Sequence, residues 1–100
     1  MIPIGCTSEN SFAFPYNENE VACVYITYVQ GGNTVVEKEL PDCKFEDGRI
    51  NVMLSQEDSL LFEEKTNVRI QIRGRKHNNK AFKSTIITAS TDEILKKGVI

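Results

Sequence analysis

The chain has 100 residues, of which 40% are hydrophobic and 26% charged, and a formal net charge of −2. That length supplies one hydrophobic core, so a single domain over residues 1–100 is expected, and the composition argues against both a disordered tail and a membrane protein. No apolar run approaches the roughly 18–20 residues that a bilayer-crossing helix requires, and so small a net charge gives no reason to expect a nucleic-acid or polyanion partner.

From the N-terminus, the first strand signal is at residues 8–16, where Phe12 and Phe14 stand two apart and so share a face before Pro15 ends the strand. An Asn- and Glu-rich loop at 17–20 precedes a run at 21–30 that is apolar at nearly every position and dense in β-branched and aromatic side chains. Such a run predicts a central strand covered on both faces; a buried helix is the alternative, disfavoured because Val, Ile, Thr and Tyr lose rotamer freedom there. Gly31-Gly32-Asn33 tolerates positive φ and marks a hairpin, with the return strand at 34–40. The charge alternation Glu37-Lys38-Glu39 suits an exposed or edge strand, which Pro41-Asp42 closes. Residues 43–46 predict a short strand, and Asp47-Gly48 a second turn into residues 49–54, where Ile50, Val52 and Leu54 alternate cleanly.

Ser55 reads as an N-cap followed by Glu57 and Asp58 in the first turn, where they meet the positive end of the helix dipole. One or two helical turns are expected over 56–62, crossing between sheets, with Leu60, Leu61 or Phe62 plugging the end of the core. Residues 68–75 give the cleanest strand, with Val68, Ile70 and Ile72 pointing one way and Arg69, Gln71 and Arg73 the other. His77-Asn78-Asn79-Lys80 predicts a turn, and 81–90 a last long strand with Phe82, Ile86 and Thr88 on one face and Ile87 and Ala89 on the other. The apolar residues of 91–100 suggest that this tail docks, as a capped helical turn or an extended arm. The sum is an all-β protein: about seven short strands in an antiparallel β-sandwich of immunoglobulin-like organisation, with one short helical crossover near 56–62. A small barrel is the rival architecture.

Nothing in the sequence assembles a catalytic or metal-binding constellation, so no cofactor, metal or catalytic residue is expected. His77 is the single histidine and lies in a turn without an orienting partner. Cys6, Cys23 and Cys43 lack zinc spacings and predict reduced thiols acting as small hydrophobes, with a Cys6–Cys43 or Cys23–Cys43 disulfide as the alternative. The acidic pairs Asp42 with Asp47, Glu57 with Asp58 and Glu63 with Glu64 do not form a calcium-loop pattern. The N-terminus has neither a basic n-region nor an apolar h-region, which predicts synthesis in the cytoplasm without a secretory signal.

Charge is unevenly placed. Residues 1–66 hold twelve acidic and four basic side chains, residues 67–100 two acidic and eight basic. Arg69, Arg73, Arg75, Lys76, Lys80 and Lys83 form a basic stripe if the last two strands pair as a hairpin. Nucleic-acid readers interleave such a stripe with stacking aromatics, and the one nearby aromatic, Phe82, reads as core. The stripe is therefore expected to face protein or solvent. The steep polarity also suits contact with a second copy of the chain.

Four segments carry a resemblance: Met1-Ile2-Pro3-Ile4-Gly5-Cys6-Thr7, residues 54–62, residues 68–73 and Asp92-Glu93-Ile94-Leu95. They resemble a group of small proteins encoded by tailed phages and prophages of Gram-positive bacteria, with a likeness running nearly end to end whose motifs are structural rather than catalytic. The chain departs from that pattern in its basic turn at 75–80 and in its last five residues. The resemblance implies a non-enzymatic virion or virion-assembly protein, capsid-associated or in the neck or baseplate, that binds other virion proteins or its own copies and passes from cytoplasm to virion. An apolar arm containing Ile2 and Ile4 is expected to extend a neighbour's sheet by strand addition. The alternative function is a monomeric recognition module that binds a protein or glycan through loops at one end of the sandwich.

Overall fold

The computed structural model describes all 100 residues. Eight strands form in chain order: β1 (Ser8–Ala13), β2 (Val21–Gln30), β3 (Asn33–Glu39), β4 (Cys43–Glu46), β5 (Arg49–Leu54), β6 (Asn67–Lys76), β7 (Ala81–Lys83) and β8 (Ile87–Ser90), with α1 (Gln56–Leu60) between β5 and β6. A small sheet has the order β1-β5-β4, and a larger one the order β3-β2-β6-β7 with β8 also on β6. All named strand pairs are antiparallel. The expected all-β sandwich with a single helical crossover is therefore what the chain forms.

Its organisation departs from expectation in three ways. First, residues 81–90 are one lane broken in two. β7 pairs with Arg73–Arg75 and β8 with Asn67–Ile70, so both segments lie on the same edge of β6. At the break, Ser84 substitutes its side chain for a strand partner: the Ile72 amide donates to Ser84 Oγ at 3.0 Å, while the Ser84 amide donates to the Ile72 carbonyl at 2.8 Å. The irregularity resets the two-residue period, so Phe82 shares the inner face with Ile87 and Ala89 rather than with Ile86 and Thr88. Second, β2 is covered on one face only. Val24, Ile26 and Tyr28 are buried, but Tyr25 is 39% exposed and no layer lies over Cys23, Thr27 and Val29, which are half-buried. Third, the strand order is not the immunoglobulin one, in which the second strand joins the sheet of the first and fifth; here β2 lies between β3 and β6.

The core fills the space between the two inner faces. Ile50, Val52 and Leu54 of β5 oppose Val24, Ile26 and Tyr28 of β2 and Val68, Ile70 and Ile72 of β6, all at most 2% exposed. Gly74 occupies the next inward position after Ile72, where a Cβ would collide with the Cys23 carbonyl and come within 2.8 Å of the Phe82 ring. At that end Phe14, Tyr16, Phe45 and Phe82 form edge and tilted contacts with centroids 4.9–5.7 Å apart. At the other end Phe62, buried as the plug, meets Tyr28 edge-on at 5.9 Å, while Leu61 is exposed.

The N-terminal segment belongs to this core, which corrects the expected free arm. Ile2 is 2% and Ile4 5% exposed. Ile2 makes a parallel bridge to Thr91, its amide donating to the Ser90 carbonyl at 2.7 Å, and the Ile4 amide donates to Asp92 Oδ1 at 2.8 Å. Ser59 Oγ, fully buried on α1, accepts from the Gly5 amide at 2.9 Å and is 3.1 Å from the Cys6 carbonyl. The C-terminal tail has no regular structure. It docks through Ile94, whose amide donates to Glu64 Oε1 at 2.7 Å, whereas Leu95 and Ile100 are 92% and 88% exposed.

α1 is fixed from both sides. Ser55 Oγ accepts from the Asp58 amide at 3.1 Å, and the Asp58 carboxylate accepts from the Ser55 amide at 2.9 Å, so the short Asp completes the capping box. The same carboxylate takes Lys38 of β3 at 2.7 Å, tying the helix to the larger sheet. Burial raises the Asp58 pKa, but the Lys38 hydrogen bond and the Ser55 cap outweigh it and hold the group below its ordinary value.

Two outcomes follow. Ile2→Ala should lower stability by about 2–5 kcal/mol, as truncation of a packed core residue does, and urea denaturation reads it; a free arm would show almost no change. Asp58→Asn should cost about 1–2 kcal/mol at neutral pH. Because the folded carboxyl titrates lower than the unfolded one, its stabilisation is present above the unfolded pKa and lost as pH falls through the folded value. The gap between wild type and variant in denaturation midpoints should therefore close below about pH 4.

Candidate functional site

The uncovered face of the larger sheet gathers the charge-bearing residues. The period of two puts Arg69, Gln71, Arg73 and Arg75 of β6 on the side away from the core, beside Cys23, Tyr25, Thr27 and Val29 of β2. Backbone register aligns them in rows across the sheet. Glu39, Tyr25, Arg73 and Lys83 make one row, Glu37, Thr27 and Gln71 the next, and Val29, Arg69 and Thr88 a third. Acid thus lines the β3 side and base the β6–β7 side.

The cations of this face have no acidic partner. The three ion pairs of the chain are Lys38–Asp58, Lys65–Glu93 and Lys97–Glu64, all elsewhere. Arg75 reaches only Asn79 Oδ1 at 3.0 Å. No side-chain hydrogen bond engages Arg69, Arg73 or Lys83, whereas Glu37 accepts from the Thr27 hydroxyl at 3.0 Å. Three shallow hollows border Arg73. One, of about 530 Å³, is shared with Gln71, Ala81, Phe82 and Lys83; a second, of about 260 Å³, with Cys23, Tyr25, Arg75 and Ala81; the third, of about 240 Å³, with Thr27, Val29, Arg69 and Ile86. Ile86 is 47% exposed, so the floor between the guanidinium groups is partly apolar.

The predicted basic stripe divides. Arg69, Arg73, Arg75 and Lys83 are brought together on the outer face. Lys76 turns toward the other side, its Nζ 4.7 Å from the centroid of the Tyr16 ring, a cation–π contact at the end of the core. Lys80 stays exposed in the turn, where its amide donates to Asn78 Oδ1 at 3.1 Å. Ile2 and Ile4, buried in their own chain, are not surface residues at all. Tyr25, Val29, Ile86, Glu37 and Glu39 are the face residues that reading the strands one at a time missed. The odd-numbered positions from Cys23 to Val29 held the signal, hidden because Tyr and Val are also good core residues.

The remaining reactive groups lie apart. His77 is exposed in its turn, and its amide donates to the Glu20 carbonyl at 3.1 Å. No group of three His, Cys, Asp or Glu side chains converges to hold a metal ion, and no helix is long and apolar enough to cross a membrane. All three cysteines are free thiols: Cys6 exposed, Cys23 half-buried on the outer face and Cys43 buried. Burial, then the nearby Asp42 carboxylate, pushes the Cys43 thiol up to about 11. Tyr28, 0% exposed with its hydroxyl unpaired, is raised further by burial, with the Cys43 and Asp58 charges adding to it. No protein-family model matches this chain, and neither the curated proteins nor the solved structures include one significantly similar to it.

The thiols should separate by reactivity. With a thiol reagent at pH 8, Cys6 should react first, Cys23 more slowly and Cys43 only on unfolding, as read by mass spectrometry of the modified peptides. Both Cys43 and Tyr28 are raised in the folded state, so the stability contributed by Cys43 is complete below pH 9 and lost as pH rises through about 11, while that contributed by Tyr28 is lost only at still higher pH.

Proposed function

We propose that this chain is a non-enzymatic structural protein of a tailed-phage virion or of its assembly, working through protein–protein contacts made by the outer face of the larger sheet. The observation that carries the reading is the set of four cations without acidic partners, Arg69, Arg73, Arg75 and Lys83, set around exposed Tyr25 and Ile86. Arginine and tyrosine supply much of the binding energy at protein interfaces, because each offers apolar area and directed polar groups together. The face is open and shallow, a form suited to another protein surface rather than to an enclosed small molecule.

The resemblance to small phage proteins supplies the biological setting, and the placement of the surface hollows favours the face over the loops. Its polar hairpin ends, at Gly31-Gly32, Asp47-Gly48 and residues 77–80, line none of the principal surface hollows. Recognition through end loops has less to work with than docking through the face.

Mass spectrometry of gradient-purified particles from the producing strain tests the proposal. The chain should be present at a fixed ratio to the major capsid protein, and genes for portal, capsid or tail proteins should flank its own. An Arg73→Glu variant, altered at an exposed outward position, should fold normally yet be depleted from particles at least about tenfold, as loss of an interface hot spot predicts. Absence of the wild-type chain from both particles and assembly intermediates refutes the reading.

A further inference from the structure

The outer face is complementary to itself, and we infer that its occupant is a second copy of this chain, packed face to face about a two-fold axis. The inference takes the docking face just described as given and names the partner. Consider an axis parallel to the strands and midway between β2 and β6. Rotation about it lays β3 of one copy over β7 of the other and β2 over β6, while each cross-strand row keeps its level. Glu39 then meets Lys83 of the second copy, Tyr25 meets Arg73, and Thr27 meets Gln71, each contact occurring twice. An axis running across the strands would instead stack β3 on β3 and β6 on β6, acid on acid and guanidinium on guanidinium. Both arrangements keep the strands aligned, as packed twisted sheets favour, and charge selects the first.

The chemistry of the central contacts fits. A phenol ring laid against a guanidinium gains cation–π attraction, and the hollows of about 260 and 240 Å³ beside Arg73 give the incoming Tyr25 ring a place to seat. Arg69 and Arg75 lie in the outer rows, where they remain in solvent at the rim and carry no uncompensated burial cost. Strands about 4.8 Å apart and a rise of about 3.3 Å per residue make the four-lane face about 19 by 26 Å. Its projected area, about 500 Å² per copy, is below the roughly 800 Å² of a standard specific interface. The dimer is accordingly concentration-dependent rather than obligate.

Sedimentation velocity across a concentration series of the full chain tests this through a charge exchange. Wild type should show a reversible monomer–dimer equilibrium. Glu39→Lys alone, and Lys83→Glu alone, each place two like-charge pairs in the homodimer and should weaken it by at least about tenfold. An equimolar mixture of the two variants restores both ion pairs and should dimerise as wild type does, as should the double variant. Positions 39 and 83 are exposed, and unchanged circular dichroism confirms that each variant is folded. A wild-type chain that stays monomeric at its highest soluble concentration overturns the inference, even where the same face binds another virion protein and the chain is present in particles. A dimer that neither single exchange weakens overturns it as well, because its interface then lies elsewhere.

Discussion

The register between β2 and β6 decides both what this protein buries and what it shows. The two strands pair from Val21 opposite Lys76 to Val29 opposite Arg69. Along β6 the side chains alternate without exception, Val68, Ile70 and Ile72 inward, Arg69, Gln71, Arg73 and Arg75 outward. A slip of one residue would drive three arginines into the core and expose three aliphatic side chains. Burying those three contributes roughly 1.5–3 kcal/mol each, before entropy is counted, and an unpaired guanidinium in the interior costs several more. The arrangement of the outer face is therefore not an independent feature. It is fixed by the same period that builds the core.

That coupling explains which parts of the structure the sequence disclosed. In β5 and β6 the outward residues are mostly polar, so alternation is visible in composition and the core positions could be named. Turn chemistry was equally direct, with Gly31 and Gly32 at positive φ between β2 and β3, and Asp47 and Gly48 likewise between β4 and β5. In β2 the signal failed because outward positions carry Tyr25 and Val29, which read as core. The apolar run was real, but half of it belongs to a surface. The N-terminal arm failed for another reason: nothing local in Met1 to Gly5 announces that Asp92, Ser90 and Ser59, distant in sequence, supply its hydrogen-bond partners. The break at Ser84 was hidden likewise, since a serine replacing a backbone partner leaves no periodic trace.

The edges of the sandwich limit how it can meet other proteins. Strand addition needs a free, flat edge with unpaired backbone groups, and charged or interrupted edges resist it. β1 carries Ser8, Glu9, Asn10 and Ser11 on one edge of the small sheet, while β3 carries Glu37, Lys38 and Glu39 on an edge of the large one. On the opposite edge β8 is followed at Thr91 by the chain's own Ile2 bridge, and the lane itself is interrupted between β7 and β8. Ile2 and Ile4 cannot leave to pair with a neighbour without opening the end of the core that Phe62 and Ile94 help close. The polar β1 and β3 edges and the docked arm are therefore poorly suited to strand addition.

On that face the choice of arginine over lysine at the central positions has a physical consequence. A guanidinium is more weakly hydrated than an ammonium and can stack on an aromatic ring while its edge still donates hydrogen bonds, so partial dehydration costs it less. Arg73 is flanked in its row by Tyr25 on one side and Lys83 on the other, with Glu39 beyond Tyr25. A lysine in its place would keep the charge but lose the planar surface that a ring can cover. In the proposed dimer, attraction at the centre of the row would come mainly from stacking and apolar contact, which ionic strength screens little, and the flanking Glu39 and Lys83 would set orientation. Division of labour of this kind lets a face with more base than acid still prefer one partner geometry, because the terms that set affinity and those that set alignment reside in different residues.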